Sequence, residues 1–417
     1  MDAAADRAPR IVTLDIVRGV AVMGILAMNI LSFALPEQSH LQPAVGADPR
    51  SVDIWAWAMG FVLVEGKMRG LFSLLFGASM LLVIDRAEAA GADGGAIHRR
   101  RMAWLLLFGL AHFFFIWEGD ILSLYAVVGL VAYLFRRKAP RSLLKWSLGL
   151  FAVSIFLTLL SSVSPLILQA AASAPGADAE VIRQWQAVQA QFAPDAARLA
   201  AETALYQGSY SGILAEQLGD WAHPIVAVLM FGPETLALML LGMWGLRSGF
   251  VSGDWQPARY RKVALICLAI ALPAHILLAL AAYSSGFAPA VSLATSLGGG
   301  AVFHPLMTFG YAAILVLLAR GATGALAARI AAVGRAAFTN YLGTSILATF
   351  IFYGWGLGLF ATIGRAELYL FVAGFWLLML AWSKPWLDRF RFGPFEWLWR
   401  SLARWQPQPM RRPAAAG

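Results

Sequence analysis

The chain has 417 residues, of which 60% are hydrophobic and only 13% are charged. Apolar segments long enough to cross a hydrocarbon core of about 30 Å recur along it, so the composition excludes a soluble globular domain and indicates a polytopic membrane protein. The 32 Lys and Arg residues outnumber the 23 Asp and Glu residues and give a net charge of +9. Because no soluble basic module accompanies this charge, we expect contact with anionic membrane lipids and no binding to nucleic acid.

The hydrophobic pattern predicts an all-α fold with about ten transmembrane helices in a single integral membrane domain, residues 1–417. The second predicted span carries several charged residues and glycines, so we expect it to be broken. The predicted spans are Leu14 to Leu35, Ile54 to Ile84, Met102 to Trp117, Ile121 to Phe135, Leu143 to Leu168, Pro224 to Leu246, Val263 to Tyr283, Pro305 to Ala319, Phe338 to Phe360 and Leu368 to Ser383.

The distribution of cationic residues predicts the orientation. With the amino terminus inside, most Lys and Arg residues fall on cytoplasmic segments and only four fall outside, namely Arg50, Arg183, Arg198 and Arg365. Because the bias of Lys and Arg sets membrane orientation, we expect both termini in the cytoplasm. The one large outer loop, residues 169–223, is predicted to form a cap of one or two short helices. Residues 386–405 mix tryptophan with arginine and are predicted to lie as an amphipathic segment in the cytoplasmic interface.

A hairpin between the third and fourth spans is the first candidate site. The two spans are joined only by Glu118, Gly119 and Asp120, and His112 lies inside the third span. Ionisable groups at membrane depth are costly and are functional by default. Imidazole suits proton transfer near neutral pH, and a carboxylate is its usual orienting partner. We therefore predict His112, Asp120 and Glu118 as catalytic residues, with interhelical hydrogen bonding by the histidine as the structural alternative.

Cationic residues within the first two spans form a second candidate set. Arg18 lies in the first span, and Glu65, Lys67 and Arg69 lie in the second. A continuous helix would pair Glu65 with Arg69 but would point Lys67 about 200° away, into lipid, so we expect a break that lines a polar cavity. Arg18, Lys67 and Arg69 could there bind the phosphates of an anionic cofactor from the cytoplasm. An internal ion pair that locks helices together is the alternative.

Further polar residues are predicted to line the same cavity or to contact a substrate. Asn29 shares a helix face with Arg18, eleven residues away, and a carboxylate such as Glu234 needs a partner or a proton at membrane depth. No pair of histidines has the spacing of metal ligands, so no metal site is predicted. The cavity candidates are Asn29, Glu65, Tyr125, Glu234, Asn340 and Tyr341.

Five stretches resemble a known family. They are LDIVRGVAVMGILAMN at 14–29, GKMRGLFSLLFG at 66–77, RRMAWLLLFGLAHFFFIWEGDILSLYAVVG at 100–129, VGRAAFTNYLGTSI at 333–346 and GPFEWLWRSL at 393–402. Through them the chain resembles the YeiB-like bacterial inner-membrane proteins, a family without an established activity. The resemblance covers nearly the whole chain except the large outer loop. It implies a multi-pass protein of the bacterial cytoplasmic membrane.

That family is distantly similar to transmembrane acyltransferases, which include the heparan glucosaminide acetyltransferases and the acyltransferase-three group. The shared feature is an opening helix with Asp15, Arg18 and Gly19. The similarity implies acyl-CoA as a cytoplasmic donor and an acceptor on the outer side. In the glucosaminide enzymes the active histidine follows the first span in an aromatic, Asn-Gly context. Because His40 lacks that context, we favour His112.

Two functional hypotheses follow. In the first, the protein is a transmembrane acyltransferase: Arg18, Lys67 and Arg69 hold the phosphates of acyl-CoA, and His112 is the general base for an acceptor hydroxyl or amine. Asp120 orients His112, and Asn29 or Tyr125 polarises the thioester carbonyl. In the second hypothesis the protein is a transporter, or binds a lipid or small solute, and the same residues line a pathway. The sequence leaves open whether the chain forms a homo-oligomer.

Overall fold

The computed structural model describes residues 11–43, 51–192 and 195–412, and this part of the chain is all-α. Apart from one isolated bridge between Phe390 and Arg411, the described residues contain no β structure. A 3₁₀ turn at Tyr133–Phe135 follows α6, and a π-helical turn at Ala294–Gly299 joins α13 to α14. The helices are α1 Val12–Ala34, α2 Gln38–Leu41, α3 Val52–Leu63, α4 Lys67–Ala89, α5 Gly94–Phe115, α6 Leu122–Ala132, α7 Pro140–Ala172, α8 Ala179–Phe192, α9 Ala196–Tyr206, α10 Tyr210–Gly219, α11 His223–Arg247, α12 Pro257–Ser284, α13 Pro289–Leu293, α14 Gly300–Arg320, α15 Ala325–Arg335, α16 Ala337–Phe352, α17 Arg365–Arg389 and α18 Pro394–Arg404.

The apolar helices confirm the predicted fold class, and the chain is a multi-pass membrane protein. Seven of the predicted spans correspond to the long apolar stretches given at the end of this paragraph, and the other three coincide with the helices α5, α6 and α16. The count of ten spans and the orientation remain predictions. Both chain termini and Arg50 lie outside the described residues. Within the described part, seven stretches are long and apolar enough to cross a bilayer, namely Val12–Ala34, Val52–Ala89, Pro140–Ala172, His223–Arg247, Pro257–Ser284, Pro289–Arg320 and Arg365–Arg389.

The second span is broken where its charged residues lie, as the sequence predicts. Helix α3 ends at Leu63, and α4 begins at Lys67. Gly66 has a φ of +74°, in the left-handed region that glycine adopts without strain. A Cβ atom there would also lie 2.3 Å from His304 Nδ1. The break therefore depends on glycine both for its backbone angle and for its close approach to α14.

Helix α1 contributes residues to three apolar clusters. Leu14 packs in a cluster with residues of α4, α11 and α14, Ile25 packs with residues of α4 to α6, and Phe33 packs with residues of α16 and α17. Contact between α1 and α15 is tight because Gly334 lets the backbones touch, since a Cβ there would lie 1.9 Å from the Asp15 carbonyl oxygen. Small residues permit such close packing in membrane proteins.

The predicted outer loop forms three short helices, α8, α9 and α10, where the sequence suggested one or two. They pack against the carboxy-terminal ends of α1, α5 and α16. Tyr210 donates to the Phe115 carbonyl at 2.8 Å, and Gln207 donates to the Phe360 carbonyl at 2.8 Å. Helix α16 ends at Phe352, before the predicted Phe360, and the turn that follows packs its Gly354 against the Gln207 carbonyl. The helices thus cover the end of the molecule at which the His112 hairpin turns.

Candidate functional site

The hairpin brings His112 and Asp120 together in a buried, hydrogen-bonded pair. His112 Nδ1 lies 3.0 Å from Asp120 Oδ1, and the two side chains are 0% and 1% exposed. The other carboxylate oxygen accepts a hydrogen bond of 2.8 Å from the Ser123 amide, at the start of α6. Since the carboxylate holds the Nδ1 proton, the lone pair of the neutral ring lies on Nε2. Among the described residues no protein group is hydrogen-bonded to that Nε2 atom.

Two aromatic side chains enclose the His112 ring. The Tyr341 ring centroid lies 5.3 Å from it, and the Trp117 ring makes an edge contact at 6.1 Å. The Tyr341 hydroxyl donates to the Gly119 carbonyl at 3.4 Å, so α16 is tied to the hairpin turn. The imidazole is therefore held in one orientation and shielded from water.

Glu118 does not contact His112, although the sequence placed it in the same catalytic set. Its carboxylate is hydrogen-bonded to Tyr206, which lies at the end of α9. Burial raises the pKa of the Glu118 carboxyl above its ordinary value. Burial, together with the nearby Glu118 carboxylate, also raises the pKa of Tyr206. Glu118 thus links the turn to the covering helices, and Asp120 is the carboxylate that contacts the imidazole.

A cavity of about 270 Å³ lies between α1, α4, α5, α6, α15, α16 and α18, and we call it the arginine cavity. It extends along α4 from Arg86 to Phe72, fourteen residues or about 21 Å. Its far end is lined by Tyr125 and Tyr341, the residue that packs on His112. Its charged residues are the carboxylates Asp15 and Glu396 and six arginines, Arg18, Arg86, Arg101, Arg335, Arg391 and Arg400.

Arg18 is the one member of the predicted phosphate-binding set that lines this cavity. Its guanidinium donates to Ser79 Oγ at 2.6 Å and to Asp15 Oδ1 at 3.3 Å. Ser79 lies twelve residues along α4 from Lys67, a rise of about 18 Å. The structure therefore separates Arg18 from Lys67 and Arg69.

Lys67 and Arg69 lie outside the arginine cavity and bind other partners. The buried Lys67 ammonium donates to the Phe61 carbonyl at 2.5 Å, across the α3–α4 break. Arg69 donates to Glu234 at 2.5 Å, so Glu234 has the cationic partner that its depth requires. Sequence reasoning did not place the other five arginines in the phosphate-binding set, because nothing in their spacing indicates that separate segments converge on one cavity. They are Arg86, Arg101, Arg335, Arg391 and Arg400.

Two other residues that were predicted to line a cavity, Tyr125 and Asn340, differ in their surroundings. Tyr125 contacts Ser73 Oγ at 2.8 Å and the Arg69 carbonyl at 3.3 Å, so it links the arginine cavity to the Arg69–Glu234 pair. Asn340 has a structural role: its amide donates to Ser383 Oγ at 3.2 Å and accepts from the Trp382 indole at 2.9 Å. These bonds join α16 to α17.

A second cavity, of about 160 Å³, lies at the carboxy-terminal end of α1, and we call it the His40 cavity. Its polar lining consists of Ser32, His40, Glu65, Arg365 and Tyr369. His40 Nε2 lies 3.0 Å from Ser32 Oγ, and Nδ1 lies 3.1 Å from the Glu37 carbonyl oxygen. The sequence argument set His40 aside because its local context differs from that of the acyltransferases. It had no means of seeing the contact with Ser32, which forms across the turn after α1.

One face of α1 borders both cavities. At 3.6 residues per turn, Arg18, Ile25, Asn29 and Ser32 lie within about 60° of one another around the helix. Arg18 and Ile25 line the arginine cavity, and Ser32 lines the His40 cavity. The buried Asn29 lies between them. Polar groups thus follow this face of α1 from one cavity to the other.

Comparison with known proteins identifies the family. Residues 245–406 match the family described as a protein of unknown function, DUF418. The chain is 31% identical to the uncharacterised protein YeiB of Escherichia coli over 412 residues, which cover 94% of this chain and 96% of the relative. It is 32% identical to the uncharacterised protein YxaH of Bacillus subtilis, with 95% and 96% covered. No solved structure matches the chain significantly. The chain therefore belongs to the family of the uncharacterised proteins YeiB and YxaH.

Proposed function

We propose that the protein is an acyltransferase of the bacterial cytoplasmic membrane that takes an acyl group from cytoplasmic acyl-CoA and delivers it to a hydroxyl or amine acceptor at the outer side. One observation carries the proposal. The arginine cavity ends at Tyr341, and Tyr341 packs on the His112 ring of a buried His112–Asp120 pair. An arginine-lined cavity thus reaches the side chain that packs on a histidine whose bond to Asp120 suits a general base.

The arginine cavity supplies the donor site. Six guanidinium groups and two carboxylates line it, and guanidinium groups bind phosphate oxygens bidentately. Its volume of about 270 Å³ is at the lower limit of small-molecule sites, so it admits the slender pantetheine arm and leaves the nucleotide phosphates near the arginines. In this proposal Arg18, with Arg101, Arg335 and Arg400, takes the role first assigned to Lys67 and Arg69.

The chemistry uses the free lone pair of His112. An acceptor O–H or N–H attacks the thioester carbonyl carbon, its proton passes to Nε2, and the collapsing tetrahedral intermediate releases CoA as a thiol with that proton. Asp120 stabilises the imidazolium that forms in between, as carboxylates do in catalytic triads. Tyr341 separates the cavity from the ring, so its side chain must rotate for the reaction to occur.

Acetyl-CoA binding tests the proposal directly. The full chain in lipid nanodiscs is titrated with acetyl-CoA by calorimetry, and we expect saturable binding that Arg18→Gln weakens at least tenfold. The matched control is Arg137→Gln, which removes an exposed arginine outside the cavity and should leave the affinity unchanged. Absence of saturable binding by the wild-type chain would refute the donor site.

A second candidate function is passage of a lipid-like or small organic solute, and the two cavities on one face of α1 favour it. The candidates differ in what the purified protein does with acetyl-CoA. Hydrolysis to free CoA that His112→Ala abolishes supports the transferase. Co-purified lipid found by mass spectrometry, with no turnover of acetyl-CoA, supports transport.

A further inference from the structure

The His40 cavity contains a hydroxyl and an imidazole in the geometry of a nucleophile and its base. Ser32 Oγ and His40 Nε2 are 3.0 Å apart, within the range for a hydroxyl that donates to a ring nitrogen. Both side chains are partly exposed and line the cavity, so a small molecule in it can touch them. The donor site and the His112 base described above use neither residue.

The hydrogen bonds of His40 determine which nitrogen is the base. The Glu37 carbonyl, 3.1 Å from Nδ1, can only accept, so Nδ1 must carry the proton. In the neutral ring the lone pair therefore lies on Nε2, and Ser32 donates to it. A nucleophile, a base and a group that orients the base are the three parts of an activated serine.

The surroundings keep the His40 ring neutral. His40 lies in the short helix α2, after α1 has ended, and burial lowers the pKa of its imidazole below the ordinary value of 6.5. The nearby Arg365 guanidinium lowers it further, whereas Glu37 opposes the shift. Arg365 is fixed by a bond of 2.5 Å to the Ser39 carbonyl, next to His40 in the chain. Glu65 also lines this cavity, but it does not contribute to the lowered pKa of His40.

We propose that Ser32 and His40 form a second reactive site, in which Ser32 accepts a short acyl group from an ester or thioester. Ser32 Oγ bonds to the acyl carbon while its proton moves to His40 Nε2. The bond from that carbon to the leaving oxygen or sulfur breaks, and the leaving group departs with the proton. Water or an acceptor hydroxyl then attacks the acyl-serine, gives its proton to His40 and releases Ser32, which recovers a proton from His40.

The cavity sets the class of substrate. Its volume of about 160 Å³ has room for an acyl group of a few carbon atoms and excludes a long chain. Arg365 and Tyr369 carry donor groups at the cavity wall, suited to a substrate with carbonyl or anionic oxygens. This assignment stands apart from acyl-CoA binding at the arginine cavity, and it can hold whether or not that proposal does.

Methanesulfonyl fluoride tests the assignment without any CoA. It is small enough for the cavity, and serine displaces its fluoride to give a sulfonyl ester of characteristic added mass. With the full chain in nanodiscs, we expect mass spectrometry of peptides to locate the label on Ser32. The expected labelling rate falls at least tenfold in His40→Gln, and labelling is absent in Ser32→Ala. Ser161→Ala, which removes an exposed serine hydroxyl elsewhere, should label as fast as the wild type.

The outcomes are decisive in both directions. An unlabelled Ser32 in the wild-type chain, or a His40→Gln variant that labels at the wild-type rate, would overturn the assignment. Gel filtration and thermal melting establish that each variant is folded. If Ser32→Ala does not fold, Ser32→Cys replaces it, and its alkylation by iodoacetamide should slow at least tenfold when His40 is changed to Gln. Equal alkylation rates would also refute the role of His40.

Discussion

At the scale of residues, the His112–Asp120 pair was predictable and the arginine cluster was not. A short turn between two helices brings a histidine near the end of the first helix close to the carboxylates of the turn, so the sequence alone reduced the candidates to Asp120 and Glu118. The sequence did not show which of the two contacts His112, because the partner of Glu118 is Tyr206, from the distant α9. Arg18 reaches the carbonyl of Gly334, 316 residues away, and no local pattern encodes such a contact.

Replacing Asp120 with Asn tests its role on His112. The amide cannot stabilise an imidazolium or hold the Nδ1 proton as the carboxylate does, so acyl transfer should fall on the order of 10²- to 10⁴-fold. Acetyl-CoA affinity should be unchanged, because the arginines of the cavity do not contact this pair. Glu118→Gln is the matched control, since it removes a carboxylate from the same turn that does not touch His112. Equal losses of transfer in both variants would contradict an orienting role for Asp120.

At the scale of elements, charged groups decided where helices break and begin. The sequence predicted the α3–α4 break because a continuous helix would have exposed Lys67 to lipid. It did not predict that α16 begins at a carboxylate from α18. Glu396 Oε1 accepts from the amides of Phe338 and Thr339 at 2.7 and 3.1 Å, and Oε2 accepts from the Thr339 hydroxyl at 2.5 Å. The predicted interfacial segment thus caps a helix and forms part of the wall of the arginine cavity.

Removal of the Glu396 cap should destabilise the protein in a way that depends on the replacement. Glu396→Ala leaves two buried amides without an acceptor, and we expect the free energy of unfolding to fall by about 1–3 kcal/mol. Glu396→Gln keeps an acceptor oxygen and should lose less. Thermal melting in detergent compares the two variants. An alanine variant as stable as the glutamine variant would show that the cap is unimportant.

The pH dependence of the same cap has a definite sign. Burial raises the pKa of Glu396 above its ordinary value of 4.5, so between these two values the folded protein binds more protons than the unfolded chain. The contribution of the Glu396 carboxyl to the free energy of unfolding is therefore largest below pH 4.5. It declines as the pH rises through the raised pKa of the folded state. The melting temperature of wild type minus that of Glu396→Gln should decrease over this window. A difference that increases with pH would contradict the raised pKa.

At the scale of the whole molecule, composition was sufficient for the fold class but not for the arrangement of helices. Apolar runs establish a multi-pass α-helical protein, because only helices satisfy their own backbone groups across long stretches in lipid. They do not determine which helices touch, since apolar helix surfaces differ little from lipid. Close approaches at small residues determine it, and these are specific to each pair. The contact between α1 and α15 at Gly334 is an example of such a close approach, and both helices line the arginine cavity.

Gly334→Ala should show that this approach supports both the fold and the cavity. The added Cβ would lie 1.9 Å from the Asp15 carbonyl oxygen, and because backbone cannot move aside cheaply, α15 must shift away from α1. Overpacking of this kind costs about 1–3 kcal/mol, so the melting temperature should fall. Gly334 also accepts a bond from Arg18 and lines the cavity, so acetyl-CoA affinity should fall with it.

Gly343→Ala is the matched control in α16, where a Cβ meets nothing within 4 Å, and helix propensity should stabilise it by up to about 1 kcal/mol. If Gly334→Ala lowered stability but bound acetyl-CoA normally, the α1–α15 contact would be structural only, and Arg18 would not be positioned by it.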